Sequence, residues 1–177
     1  MRNIHRKLNI LKNENYFDPF SERHKKTIGE LSKNVGGINN RIGELTEGLF
    51  SPELWEKFNK LGYPVTSQCC RKEFRLNKTL IAEADVYIEN GEYAIPVEIK
   101  ANLQAADIDG HIDRIQKIRQ YLDAHGDKRK LIGAVAGATV TDKVRDYAHE
   151  NGLFVITQNG DSTSIASTPK GFEPREW

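Results

Sequence analysis

Asp85, Glu98 and Lys100 are the residues whose types and spacing suit chemistry. Glu98 and Lys100 sit in Ile95-Pro96-Val97-Glu98-Ile99-Lys100, where apolar and charged residues alternate. Period two predicts a strand with one buried face, so the carboxylate and the ammonium point the same way, roughly 7 Å apart along the backbone. The run Leu80–Ile88 precedes it, and Asn90-Gly91 between the two is a strong signal for a two-residue hairpin turn. With Asn90 and Gly91 as the loop, Glu89 pairs with Glu92, Ile88 with Tyr93 and Asp85 with Pro96. One face then carries Ala84, Val86, Ile88, Tyr93, Ile95, Val97 and Ile99, and the other, non-core face carries Glu83, Asp85, Glu98 and Lys100. Asp85 and Glu98 become diagonal neighbours, within reach of one ion.

A further carboxylate comes from the segment upstream. Ile28, Leu31, Val35, Ile38, Ile42, Leu45 and Leu49 recur at alternating spacings of three and four, the a/d stripe of a heptad helix. Glu47 lies about 140° around the helix from Ile42. It shares a second face with Gly43, Phe50 and Leu54, and a carboxylate on such a face needs a partner. The stripe over 28–49 reads equally as a homodimer seam or as packing against the chain's own domain, with Gly36-Gly37 weakening its middle.

The pattern of an Asp ending one strand, a hairpin, then Glu98-Ile99-Lys100 resembles the PD-(D/E)XK nuclease superfamily. Twelve residues separate Asp85 from Glu98, and Ala84 stands where that family commonly has Pro. More particularly, the chain resembles an uncharacterised bacterial branch with a heptad-bearing segment before a helix of the Ile42-Gly43-Glu44-Leu45-Thr46-Glu47 type. That branch ends, as here, with Gly152-Leu153-Phe154-Val155-Ile156 and a short hairpin. The resemblance covers roughly residues 40–170. It implies a restriction-endonuclease-like α/β core, a mixed central sheet flanked by helices, over 40–177, with a helical, coiled-coil-like extension over 1–39. It also implies that Glu47 (with Glu44 as fallback), Asp85 and Glu98 hold a divalent cation, with the Ile99 carbonyl as a further ligand. Hard oxygen donors of this kind suit Mg²⁺ or Mn²⁺. Lys100 would orient or deprotonate a water, or stabilise the transition state, in hydrolysis of phosphodiester bonds in DNA, double-stranded by expectation. The alternative is a catalytically silent nuclease-fold module that binds DNA or supports assembly.

Composition narrows the possibilities. The chain has 177 residues, room for one core and an extension, and a net charge of +1. A balanced charge excludes a global basic field, so DNA contacts must come from local patches and metal ions. The two cysteines, Cys69 and Cys70, are adjacent, which argues against a structural disulfide or zinc knuckle. With no membrane-length apolar run and no secretory leader, the expectation is cytoplasmic. Arg2, Arg6, Lys7, Lys12, Arg23, Lys25 and Lys26 form a basic arm, read as a solvated extension or as a contact to DNA phosphates.

The remaining elements follow in order. Ser51-Pro52 restarts a helix, with Ser51 as cap, that ends at Gly62. Pro64–Gln68 and Arg71–Leu76 are strand candidates. A helix spans about Gln104 to Ala124, with Ile108, Ile112, Ile115 and Leu122 inward and His111, Arg114, Gln116, Lys117 and Arg119 outward. Leu131–Ala138 reads as one strand buried on both faces. Thr141 caps a helix stopped by Gly152, and Asn159-Gly160-Asp161 turns a last hairpin.

Overall fold

Asn90 decides the register of the central hairpin. Its Oδ1 accepts the amides of Glu92 (2.7 Å) and Tyr93 (2.6 Å), and its own N–H donates to the Tyr93 carbonyl at 2.9 Å. Asn90 therefore belongs to the ladder, and Gly91-Glu92 is the loop. The computed structural model describes residues 19–159 and 162–177. In it, strands β2 (Thr79–Glu89) and β3 (Tyr93–Asn102) pair Glu89 with Ala94, Ile88 with Ile95, Tyr87 with Pro96 and Val86 with Val97. The expected pairing was two residues away from this. Because the slip is even, every side chain keeps its expected face. The same register, carried one step further, puts Asp85 directly opposite Glu98 instead of diagonal to it.

β3 is the centre of a seven-stranded mixed sheet in the order β1-β2-β3-β5-β6-β7, with β4 also on β3. β1 (Ser67–Leu76) is an antiparallel edge strand, one continuous element where two short ones were expected. β4 (Lys130–Leu131) and β5 (Ala134–Thr139) lie parallel to β3, β6 (Phe154–Asn159) parallel to β5, and β7 (Ser162–Ile165) antiparallel to β6. The apolar run 131–138 is thus broken at Ile132-Gly133, opposite Ile95-Pro96, while both halves keep one register with β3. Pro96 has no N–H to donate, and the ladder breaks beside it. The edge of the gap at Ile132 is held by a bridge to Glu176 of the C-terminal tail.

The described residues divide into two units, with the boundary between Asn40 and Arg41. Helix α1 runs Pro19–Phe50, followed by a 3₁₀ turn Ser51–Glu53 and α2 (Leu54–Lys60). Ser51 does not cap: the backbone remains helical through Phe50, and the Ser51 hydroxyl donates back to the Glu47 carbonyl at 2.7 Å. In the second unit, Phe50, Leu54 and Phe58 pack with Val86, Ile88, Ile95, Val97, Ile99 and Ile156. Helices α3 (Ala105–Ala124) and α4 (Asp142–Glu150) belong to a separate cluster with Tyr87, Ala94, Val135 and Val155. Helices thus cover both faces of the sheet. The face that carries Glu98 lies under α3, so the expectation of a non-core face there is corrected.

Gly152 stops α4 as expected. Its φ is +75°, its N–H reaches the His149 carbonyl (2.9 Å), and the Leu153 N–H reaches the Ala148 carbonyl (3.0 Å). These are the paired bonds of a Schellman stop. A Cβ there would lie 2.6 Å from the Arg175 backbone nitrogen, which itself donates to the Gly152 carbonyl. Positive φ and backbone crowding act together. Gly152→Ala should therefore lower stability by about 2–4 kcal/mol, read as a fall in the urea midpoint with the slope unchanged.

Candidate active site

Glu98 is fully buried in the middle of β3. An isolated buried carboxylate is costly, so it requires positive partners. Two converge on the same oxygen: Lys100 Nζ lies 2.6 Å and Arg114 Nη2 2.7 Å from Glu98 Oε1. The other oxygen, Oε2, is buried with no hydrogen-bond partner. Lys100 and Arg114 are themselves only partly covered, 39% and 30% exposed at their side chains, so each joins the buried carboxylate to solvent.

Arg114 comes from α3. That helix starts with a capping box, the Gln104 side chain bonding the Asp107 amide and the Asp107 carboxylate accepting the Gln104 amide at 2.9 Å. Its buried stripe is Ile108, His111, Ile115, Ile118 and Leu122, so His111 lies inside and not on the solvated face where it was expected. The 3-4-3-4 spacing 108-111-115-118-122 carries that information, and a reading of His as polar hides it. The His111 Nε2–H donates to the Pro96 carbonyl at 3.2 Å, and Nδ1 has no partner. Burial, outweighing the pull of Glu98, lowers the His111 pKa to about 4, so the ring is neutral at pH 7. A neutral ring here avoids a third cation beside Arg114 and Lys100.

Asp85 is half-buried on β2 and accepts the Ile99 amide on Oδ2 at 2.7 Å. The described ladder between β2 and β3 stops at Val86–Val97, and this side chain joins the strands beyond it. Burial first, then the charge of Glu98, raise the Asp85 pKa to about 6, against the Ile99 bond and Lys100. Burial pulls the Lys100 pKa down, but its bond to Glu98 and the surrounding carboxylates raise it on balance.

The other expected site residues fall as follows. Ile99 sits between Glu98 and Lys100 with its side chain in the core and its amide held by Asp85. Glu47 carries a bond from Arg71 Nε at 3.0 Å and is near enough to Asp85 to help raise its pKa. Glu44 is exposed. Among the described residues, no three His, Cys, Asp or Glu are grouped closely enough to form a metal site. Two carboxylates, Asp85 and Glu98, therefore face each other at the β2–β3 junction, while Glu47 is engaged elsewhere by Arg71. Glu98 Oε2 is buried without a hydrogen-bond partner, and the Asp85 and Glu98 carboxylates supply oxygen donors of the kind a hard divalent cation takes. Arg71, Arg114 and His111 are the residues that sequence reasoning missed in this region. Arg71 has a φ of +51° within β1, which no sequence signal announces for an arginine. The basic arm at 1–18 lies outside the described residues. An open cleft of about 1200 Å³ lies elsewhere, between α4 and the tail, lined by Arg145, His149, Phe172 and Arg175.

No family model matches the chain, and no curated protein does. Among solved structures, the small subunit of the heterodimeric restriction endonuclease R.BspD6I is similar at a TM-score of 0.36 and 14% identity, covering 67% of this chain and 72% of that one. Among the described residues, no helix is long and apolar enough to cross a membrane.

The raised Asp85 pKa has a stability consequence. Between about pH 4 and pH 6 the folded protein holds a proton that the unfolded chain has lost, so this group lowers stability as pH rises through that window. Asp85→Asn keeps an acceptor for the Ile99 amide and removes the charge. In chelator, the variant should be more stable than the parent at pH 7, by up to about 2–3 kcal/mol. The gain should disappear near pH 4, as read from thermal melts across the range.

Proposed function

We propose that residues 41–177 form a metal-dependent nuclease domain of the PD-(D/E)XK type, hydrolysing phosphodiester bonds in DNA. The observation that carries this reading is the Glu98 carboxylate, buried against Lys100 and opposite Asp85, with one oxygen left without a partner. Asp85 and Glu98 would hold Mg²⁺ or Mn²⁺, with Glu47 and the Ile99 carbonyl as further ligands. The ion supplies charge neutralisation and an acidified water when bound. The chain's own groups do the rest. Lys100 is exposed enough to present N–H donors to a phosphate oxygen while Glu98 holds its Nζ in position. Arg114 has further guanidinium donors available beyond the one on Glu98, suited to a non-bridging phosphate oxygen. Double-stranded DNA is the proposed substrate.

A second reading has its own supporting observation. Glu98 is already neutralised by Lys100 and Arg114, and Glu47 by Arg71. A cluster balanced by its own cations also suits a nuclease fold that binds DNA or an assembly partner without turnover.

Incubating plasmid and linear DNA with the protein and Mg²⁺ or Mn²⁺, with and without chelator, separates the two. The nuclease reading expects cleavage that chelator abolishes. Lysine has no lone pair for a metal when protonated. Lys100→Ala should therefore keep divalent-ion binding in calorimetry, or tighten it, yet lose about 10²–10³ in cleavage rate. Asp85→Ala should lose both. Unimpaired cleavage by Lys100→Ala would reject the role given to it. Binding of DNA with no cleavage under any divalent ion would leave the binding module as the function.

A further inference from the structure

The seven large apolar residues at heptad spacing on α1 are all exposed: Ile28, Leu31, Val35, Ile38, Ile42, Leu45 and Leu49, between 43% and 75%. Among the described residues the stripe stands exposed along its length. We propose that this stripe is the seam of a parallel, two-stranded coiled coil between two copies of the chain. The inference is independent of the nuclease reading.

Four features point to that occupant. Assigned as a heptad, the a positions are Ile28, Val35, Ile42 and Leu49, and the d positions are Leu31, Ile38 and Leu45. β-Branched residues at a with Leu at d favour two parallel strands over three or four, and five of the seven positions, all but Ile38 and Leu49, follow that rule in type. Second, the flanking g and e positions pair Thr27 with Ser32 and Asn34 with Asn39, so no like charges oppose one another there across a parallel, in-register pair, while Thr46 at the next e position is buried within its own chain. Third, Gly29, Gly36, Gly37 and Gly43 fall at b and c, away from the seam, where an added Cβ would meet nothing within 4 Å. These glycines leave the seam unbroken, yet they make α1 a poor helix by itself, so it needs a partner to hold its form. Fourth, fourteen half-exposed side chains from two copies would bury on the order of 1,000 Å², the lower end of a stable interface. Glu47 falls at f, opposite the seam, so dimerisation leaves its bond to Arg71 untouched.

The test uses the full chain with Cys69→Ser and Cys70→Ser, since both native thiols are exposed and would cross-link on their own. Sedimentation equilibrium at micromolar concentration should give twice the chain mass. Ile38→Asp should return it to the single-chain mass while the thermal transition of the folded domain stays in place, because Ile38 supports nothing in its own chain. Leu31→Cys, placed at a d position, should form a covalent dimer under mild oxidation. A mixture of Leu31→Cys and Leu45→Cys chains should give the two same-site products in preference to the 31-to-45 product. A monomeric parent, a trimer, or predominant 31-to-45 cross-linking, which an antiparallel pair centred on Ile38 would give, each overturns the proposal.

Discussion

The burial of one carboxylate, Glu98, governs how the rest of the second unit is arranged. A charge with no solvent contact survives only beside opposite charge, and here Lys100 and Arg114 meet the same oxygen at 2.6 and 2.7 Å. Lys100 comes with the strand, two residues on. Arg114 does not: it requires α3 to lie over β3 at one rotation, the rotation that also buries Ile108, Ile115, Ile118 and Leu122. Apolar packing and ion pairing therefore select the same helix placement. The His111 ring sits within that contact and stays neutral because burial disfavours a charge there. Its bond to the Pro96 carbonyl fastens the helix to the point where the sheet ladder is interrupted.

Beside that carboxylate the β2–β3 ladder ends while β3 stays paired with β5. Strands β2 and β3 pair through Val86–Val97, and Asp85 then accepts the Ile99 amide through its side chain. Substituting a carboxylate for a backbone carbonyl keeps the amide satisfied while placing a second negative group near the first. Burial first, and then the repulsion from Glu98, appear as the raised Asp85 pKa.

Helix α1 presents two different sides. Phe50 and Thr46 are buried, and Glu47 is drawn to Arg71 of β1, while the heptad residues remain outside. Arg71 holds a backbone conformation that costs a non-glycine residue about 1–2 kcal/mol, and its guanidinium ends on Glu47. A carboxylate facing the sheet and a stripe facing away can coexist because 3.6 residues per turn separates positions f and a/d onto opposite sides.

Period and turn chemistry were readable directly from the chain. Alternation from Ile95 to Lys100 placed Glu98 and Lys100 on one face, the Thr141 and Gly152 signals bounded α4, and the heptad of α1 stood out by spacing alone. These are local properties, set by backbone geometry within a few residues. The hairpin register was only half legible: Asn90-Gly91 named the turn, but the Asn90 side chain's bonds to Glu92 and Tyr93 moved it by one residue, and parity preserved the faces. What covers a face was not legible at all. Glu98 looked like a residue on an open surface because strand alternation says nothing of the helix that arrives from the next segment. Arg114 and Arg71 as partners of Glu98 and Glu47, the neutral buried His111, and the break at Pro96 were decided only in the tertiary structure. Each depends on contacts between segments far apart in the chain, where burial sets the value of a charge and no local pattern records it.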